Sequence, residues 1–333
     1  NLINEFRLGY NYGNFTEKQF NPNTNVSDTL GLGGIPFTPG QGGLVNVSPN
    51  GINGFGTPYY YPTLENEHVL EFLDNVTKIV GNHALKFGVD FQRVNVSELQ
   101  PVIATGAYNY TGEYTGIPGV ANTGPGIADF LANEQNSATT GVANYADNHR
   151  WVRSAYGQDD WRATPKLTVN VGLRYDFFGP KTNESGKQAN FYPGQIGIGT
   201  GTGTFVLPSN QQGVLPQQFL TLLAQNNVTV AYSGNSSLVD SQKLNFAPRL
   251  GFSYSVNNRT VVRAGFGIFY GGLEGFGYGV NLAQNVPFNY TSNIYSPGTC
   301  NTTTCATDGI LLETGFTQGG AANFISFPTI TAI

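Results

Sequence analysis

Between residues 167 and 177 an apolar side chain occupies every second position: Leu167, Val169, Val171, Leu173, Tyr175 and Phe177. Thr168, Asn170, Gly172, Arg174 and Asp176 fill the places between. A period of two puts the two sets on opposite faces of an extended strand. The same grammar returns at "FRLGYNY" (6–12), "LKFGVDF" (85–91), "PRLGFSY" (248–254) and "VRAGFGI" (262–268), and each time the central glycine shares the face of the polar residues. These segments predict strands at about 2–12, 67–80, 84–97, 151–162, 167–178, 245–256 and 260–271, with a less regular eighth near 322–333.

The connections are of two kinds. "VGNHA" (80–84), "ATPK" (163–166) and "VNNR" (256–259) join strands tightly, with the Gly, Pro and Asn that short turns use. The others, roughly 13–65, 99–149, 179–244 and 272–321, are long and rich in Gly, Asn, Pro, Thr and Tyr. Structureless loops of that length are foreign to a compact soluble domain. Short turns at one end and long loops at the other are the layout of a membrane barrel. Two short helices are expected within the loops. "PGIADFLANEQ" (125–135) carries Ile127, Phe130 and Leu131 as its apolar positions, and "PQQFLTLLAQN" (216–226) places Phe219, Leu222 and Leu223 on one face. Their expected role is to pack the loops.

Alternation alone does not say which face is wet. Composition does more. Only 11% of the 333 residues are charged and 13% are aromatic, against about 25% charged for an average soluble protein. So few charges cannot cover a large soluble surface without inviting association. No run approaches the ~18–20 apolar residues of a spanning helix, so a membrane crossing must use strands. Ten steps from Leu167 to Phe177 are ~33 Å of strand, which at ~40° tilt covers the ~25 Å apolar band of such barrels. Leu85, Phe87, Val89, Phe91, Val169, Val171, Leu173, Tyr175, Phe252 and Phe266 are therefore the candidate lipid-facing residues. Arg7, Lys86, Asp90, Arg174, Asp176, Arg249 and Arg263 are the candidate lumen-facing ones. Buried in a dry core these ions would cost several kcal/mol each unless paired; in a hydrated lumen they pair or stay solvated. Trp151 and Trp161 stand at opposite ends of one strand, but the two adjacent aspartates of "GQDDW" leave their facing open.

With the pattern established, "YGQDDWRATPKLTVNVGLRYDFFGP" (156–180) resembles a barrel hairpin of TonB-dependent outer-membrane receptors, in particular the Oar-like branch: a Gln-Asp-Asp-Trp strand, a Thr-Pro turn and a Gly-Leu-Arg-Tyr strand. "VTKIVGNHALKFGVDFQRV" (76–94) and "FAPRLGFSYSVNNRTVVRAGFGIFYGG" (246–272) resemble two further hairpins, and "GIADFL" (126–131) the loop segment that precedes the first. The resemblance covers about a third of the chain in the family's order. It implies an all-β fold, a portion of an antiparallel transmembrane barrel of about 22 strands, and energy-coupled uptake of a large extracellular ligand at the cell outer membrane. It also implies partners: outer-membrane lipid, the TonB complex acting through a plug domain, and a ligand such as an oligosaccharide, peptide or metal chelate.

The chain departs from that family plan. No plug, TonB-contacting box or N-terminal region is recognisable, about eight strands are too few, and "FPTITAI" lacks a terminal aromatic. Residues 1–333 are thus expected to be part of a receptor barrel, an internal piece of a longer protein or a processed one, with no signal peptide and no Met. The alternatives are a complete eight-stranded outer-membrane protein with adhesive loops and a secreted soluble β-protein such as a lectin.

Little else suggests chemistry. A net charge of −5 with no basic run gives no reason to expect nucleic acid. "GIGTGTGTF" (197–205) lacks the Lys-Ser/Thr of a phosphate loop and is read as a flexible loop or small hairpin. His68, His83 and His149 are too widely spaced for a metal motif, so no cofactor, metal or catalytic residue is expected and the chain is read as a carrier, not an enzyme. Cys300 and Cys305 in "CNTTTC" are the candidate for a small loop-closing disulfide, which needs an oxidising compartment; two unpaired thiols are the other reading. Loop tyrosines Tyr59, Tyr60, Tyr61, Tyr108, Tyr110 and Tyr114 are the candidate ligand contacts, since aromatic rings stack on sugars and peptides; packing of the loops is the plainer alternative.

Overall fold

The computed structural model of the chain describes residues 2–32, 35, 37–99, 103–118, 120, 123–142, 145–194, 202–271 and 281–295. Seven long strands form one antiparallel wall in chain order. They are β1 (Leu2–Glu17), β2 (Thr63–Val80), β3 (His83–Leu99), β4 (Ala146–Thr164), β5 (Leu167–Phe178), β6 (Phe246–Asn257) and β7 (Thr260–Gly267). A two-residue strand, Thr182–Asn183, adds to β4. Among the described residues no ladder joins β1 to β7, so the wall has two open edges.

The tight turns follow from their residues. Gly81, at φ +57, takes the left-handed conformation that closes β2 onto β3. The Thr164 hydroxyl accepts from the backbone N–H groups of Lys166 and Leu167, at 3.2 and 3.0 Å. Asn257 Oδ1 accepts from Arg259 N at 2.9 Å. Side chains that satisfy turn amides in this way fix the register of each hairpin.

Several strands run further into the loops than their apolar pattern predicts: β1 to Glu17, β2 from Thr63, β3 to Leu99 and β4 from Ala146. Their extra residues, among them Glu65, Asn66, Glu67 and Asn148, keep the backbone ladder without alternating in polarity. Ladder hydrogen bonds do not depend on which side chain is apolar; only the hydrocarbon-facing part of a strand must alternate. In contrast, β7 ends at Gly267 and not near 271. Ile268 N donates to Pro248 O at 3.1 Å, and Pro248 has no N–H to return the bond, so the ladder stops there. The predicted strand near 322–333 lies outside the described residues.

The long connections are not structureless. Three of them together build a four-stranded sheet ordered Tyr290–Tyr295, Ser137–Val142, Ala107–Tyr110, Asn46–Pro49. Its core is Val45, Val47, Tyr108, Tyr110 and Ala138, with Phe130 packed against it. A second, three-stranded sheet pairs Gly203–Pro208 antiparallel with Asn190–Pro193 and parallel with Val228–Ser233, so Gly203, Thr204 and Phe205 at the end of the Gly-rich segment are strand residues. Its core is Ala189, Phe205, Leu207, Leu215 and Phe288. Both predicted helices form, α1 (Gly126–Ala132) and α2 (Gln217–Gln225), each entered from a proline. Their packed faces differ in detail. In α2 Phe219, Leu220 and Leu223 meet the core and Leu222 is exposed; in α1 Phe130 packs while Leu131 is exposed. A helix this short is turned by what it lands on, more than by its own periodicity.

Buried apolar clusters therefore sit in the loops. The wall has one apolar face that nothing in the described residues covers: Leu173 is 50% exposed, Leu250 58% and Phe266 70%.

Candidate functional site

Directly paired residues of antiparallel strands share a face, so the register sorts the wall residue by residue. Arg7 pairs with Leu73, Leu73 with Asp90, Asp90 with Ser154, and Ser154 with Asp176. Lys86 pairs with Gln158, Gln158 with Gly172, and Gly172 with Arg249. Arg174 and Arg263 belong to other rows of the same face. All seven candidate lumen residues thus share one face. Leu85, Phe87, Val89, Phe91, Val169, Val171, Leu173, Tyr175, Phe252 and Phe266 share the other.

The polar face is a connected network. Asp160 accepts from Lys86 Nζ at 2.7 Å, Gln158 Nε2 at 2.9 Å and Asn170 Nδ2 at 2.6 Å. The three donors reach it from β3, β4 and β5. Further toward the loops, Asp176 accepts from Ser154 Oγ and Arg174 Nε, both at 2.7 Å, while Asp90 lies 3.9 Å from Arg174. Gln92 Nε2 donates to Glu71 at 3.0 Å. Arg7 pairs with Glu5 on the edge strand. Between these groups Tyr156 lies across Gly88 and donates to Asn75 Oδ1 at 2.8 Å. A Cβ on Gly88 would collide with the Tyr156 ring and the Asn75 side chain; the glycine exists to let one side chain cross a strand.

A cleft of 440 Å³ opens on this face, lined by Glu67, Asp90, Arg150, Arg174, Asp176 and Arg249 among others. Its walls come from β2, β3, β4, β5 and β6. One cleft can touch same-face residues of five successive strands only if the sheet curls around them, so the polar face is the concave one.

On the convex face, Trp151 and Trp161 both project outward: Trp151 pairs with Arg93, and Trp161 with His83 and Val169. Ten positions apart, they are separated by ~25 Å along the normal of a strand tilted ~40°. His83 stacks on Trp161 with ring centroids 5.6 Å apart, and its Nδ1 meets Asp159 Oδ2 at 2.6 Å. The two aspartates of "GQDDW" thus part company, Asp159 outward and Asp160 inward. Sequence reasoning missed Asp160, Tyr156 and Asn75. The phase was available from the tryptophans: if both are interfacial, the even-numbered residues between them face inward.

The tyrosines divide. Tyr108 and Tyr110 are fully buried in the core of the four-stranded sheet, with Phe130 edge-on to Tyr110 at 5.3 Å. They cannot touch a ligand there, which corrects the expectation for both; aromatic bulk builds the loop module. Burial pushes the Tyr108 phenol up to about 12 and raises that of Tyr110 as well. Tyr114 and Tyr61 are half-buried, and Tyr59 and Tyr60 are exposed. Cys300 and Cys305 lie outside the described residues. In "GIADFL", Asp129 is fully buried and accepts from Gly112 N at 2.8 Å, Thr115 N at 2.9 Å and Thr115 Oγ1 at 2.7 Å. Its role is to hold the 112–115 loop.

A family model described as outer membrane beta barrel domain matches residues 1–333. Comparison with curated proteins finds no match. The chain belongs to the outer membrane beta barrel domain family, and its place is the cell outer membrane.

Proposed function

Taking an outer-membrane barrel as the premise, we propose that this chain is part of the wall of a TonB-dependent receptor of the Oar-like kind, a carrier and not an enzyme. It takes up a large extracellular ligand, such as an oligosaccharide, a peptide or a metal chelate, at the expense of energy delivered through TonB and a plug domain. The observation that carries the reading is the concave polar network with its cleft, backed by an apolar face that nothing in the described residues covers. The ion pairs of that face suit a lumen occupied by a plug or by water. Among the described residues nothing pairs with the outer edges of β1 and β7, which supports a wall continued by further strands. The structured loop modules, with Tyr59 and Tyr60 exposed, suit capture of ligand outside the cell.

The test uses the full-length protein in its own cell. Deletion should abolish depletion of one class of solute from a mixture of oligosaccharides, peptides and ferric chelates. A protonophore should abolish the same depletion in the parent strain. Depletion that continues unchanged with the inner membrane de-energised would refute energy coupling and leave a passive barrel.

A further inference from the structure

At the loop end of the convex face two guanidinium groups flank one indole. Arg93 of β3 is the register partner of Trp151 on β4, and Arg153 lies two positions further along the same face. Their guanidinium carbons stand 5.2 and 5.6 Å from the centre of the Trp151 ring. Arg93 Nε donates to Asn95 Oδ1 at 2.9 Å. Among the described residues no salt bridge joins either guanidinium to a carboxylate. The contrast with neighbouring charges is sharp: Arg174 has Asp176 and Asp90, Lys86 has Asp160, and the outward-facing Asp159 has His83.

Height gives these unneutralised charges a meaning. Arg93 is ten positions from His83 at the turn, ~25 Å along the membrane normal at ~40° tilt, which is the top of the apolar band. Below it on the same face lie Phe91 and, across the ladder, Phe72. Arg153 belongs to that row, paired with Phe91, and its guanidinium lies against the Trp151 ring one row above. Two planar forks without a carboxylate among the described residues, held against an interfacial tryptophan at the upper edge of the apolar rows, match a lipid whose phosphate sits where its acyl chains begin. We propose that Arg93, Trp151 and Arg153 form a site on the outside of the barrel for the phosphate of an anionic outer-leaflet glycolipid. The site rests on the convex face being the lipid face.

The experiment takes the full-length protein in detergent and follows retained lipid by native mass spectrometry. The probes are bisphosphorylated lipid A, its dephosphorylated form, and inorganic phosphate as competitor. The unaltered protein should retain lipid A at least about tenfold better than the dephosphorylated form, and Arg93→Gln with Arg153→Gln should remove that preference. Heat-modifiable mobility on a gel establishes that the double variant is folded, and the dephosphorylated arm needs no variant at all. Retention that ignores the phosphate, or that survives both substitutions, overturns the site. Displacement by inorganic phosphate at the lipid's own concentration overturns the lipid as occupant. If these arms fail while Leu173→Arg, on the convex face, still destabilises the protein more than Asn170→Arg, on the concave one, the facing stands and only the phosphate site falls.

Discussion

The facing of the wall can be tested by placing one charge on each side of β5. Leu173 is 50% exposed on the convex face, between Gly157 of β4 and Pro248 of β6. It stands six steps from Leu167, ~15 Å along the normal at ~40° tilt and so close to the middle of a ~25 Å band. Neither neighbour offers a carboxylate. Leu173→Arg should therefore meet the full midplane penalty of ~2–4 kcal/mol. Val171 is the poorer choice, because its register partner is Asp159, which could neutralise the new charge. Asn170 is the control. It points into the concave face and donates to Asp160 at 2.6 Å, so Asn170→Arg keeps a donor beside the same carboxylate and should cost at most ~1 kcal/mol. The assay is urea-induced unfolding of the full-length protein in thin-bilayer liposomes, with heat-modifiable mobility as the folded fraction. Equal losses for the two variants would show that both faces meet the same environment, and the assignment of lipid and lumen would fail.

Other outcomes follow from single contacts. Gly88→Val forces the Tyr156 ring off its path to Asn75 and should cost ~1–3 kcal/mol; in Tyr156→Ala the same substitution should cost much less, and a double-mutant cycle without coupling would refute the crossing. Asp129→Ala leaves the buried N–H of Gly112 without its acceptor, at ~1–3 kcal/mol, and removes the acceptor of the exposed Thr115 at a smaller cost, because water can replace it there. Hydrogen exchange should then speed up at 112–115 and not in the wall, and uniform protection would count against the role. With the Tyr108 phenol raised to about 12 and Tyr110 raised too, the unfolded loop module releases protons first, from about pH 10. Stability present below pH 10 is lost as pH rises toward 12, so the tyrosine near-ultraviolet dichroism of this module should fade while the barrel's far-ultraviolet signal persists. A fixed near-ultraviolet signal through that range would mean that the two phenols are not buried as described.

The legible part of this protein is the part governed by local rules. Strand phase, hairpin turns and the division into an apolar and a polar face are written at a period of two, and both loop helices announce themselves by a proline and a short apolar cluster. "GQDDW" marks where that ends, because two adjacent carboxylates must point to opposite faces and nothing local says which goes where. Register across β3, β4 and β5 decides it, sending Asp160 to Lys86 and Asn170 and Asp159 to His83. The same holds for Tyr108 and Tyr110: alternation in a loop cannot reveal that a parallel partner at Asn46–Pro49 will bury them.

Chain order and side-chain polarity alone therefore determined that this is an alternating antiparallel wall with one face suited to lipid. Tertiary pairing decided which polar groups meet, which tyrosines vanish into loop cores, and where two arginines stand beside a tryptophan with no carboxylate partner among the described residues. The physical reason is range. Periodicity acts between residues two apart, whereas a cross-strand neighbour is chosen by turns and ladders that lie many residues away.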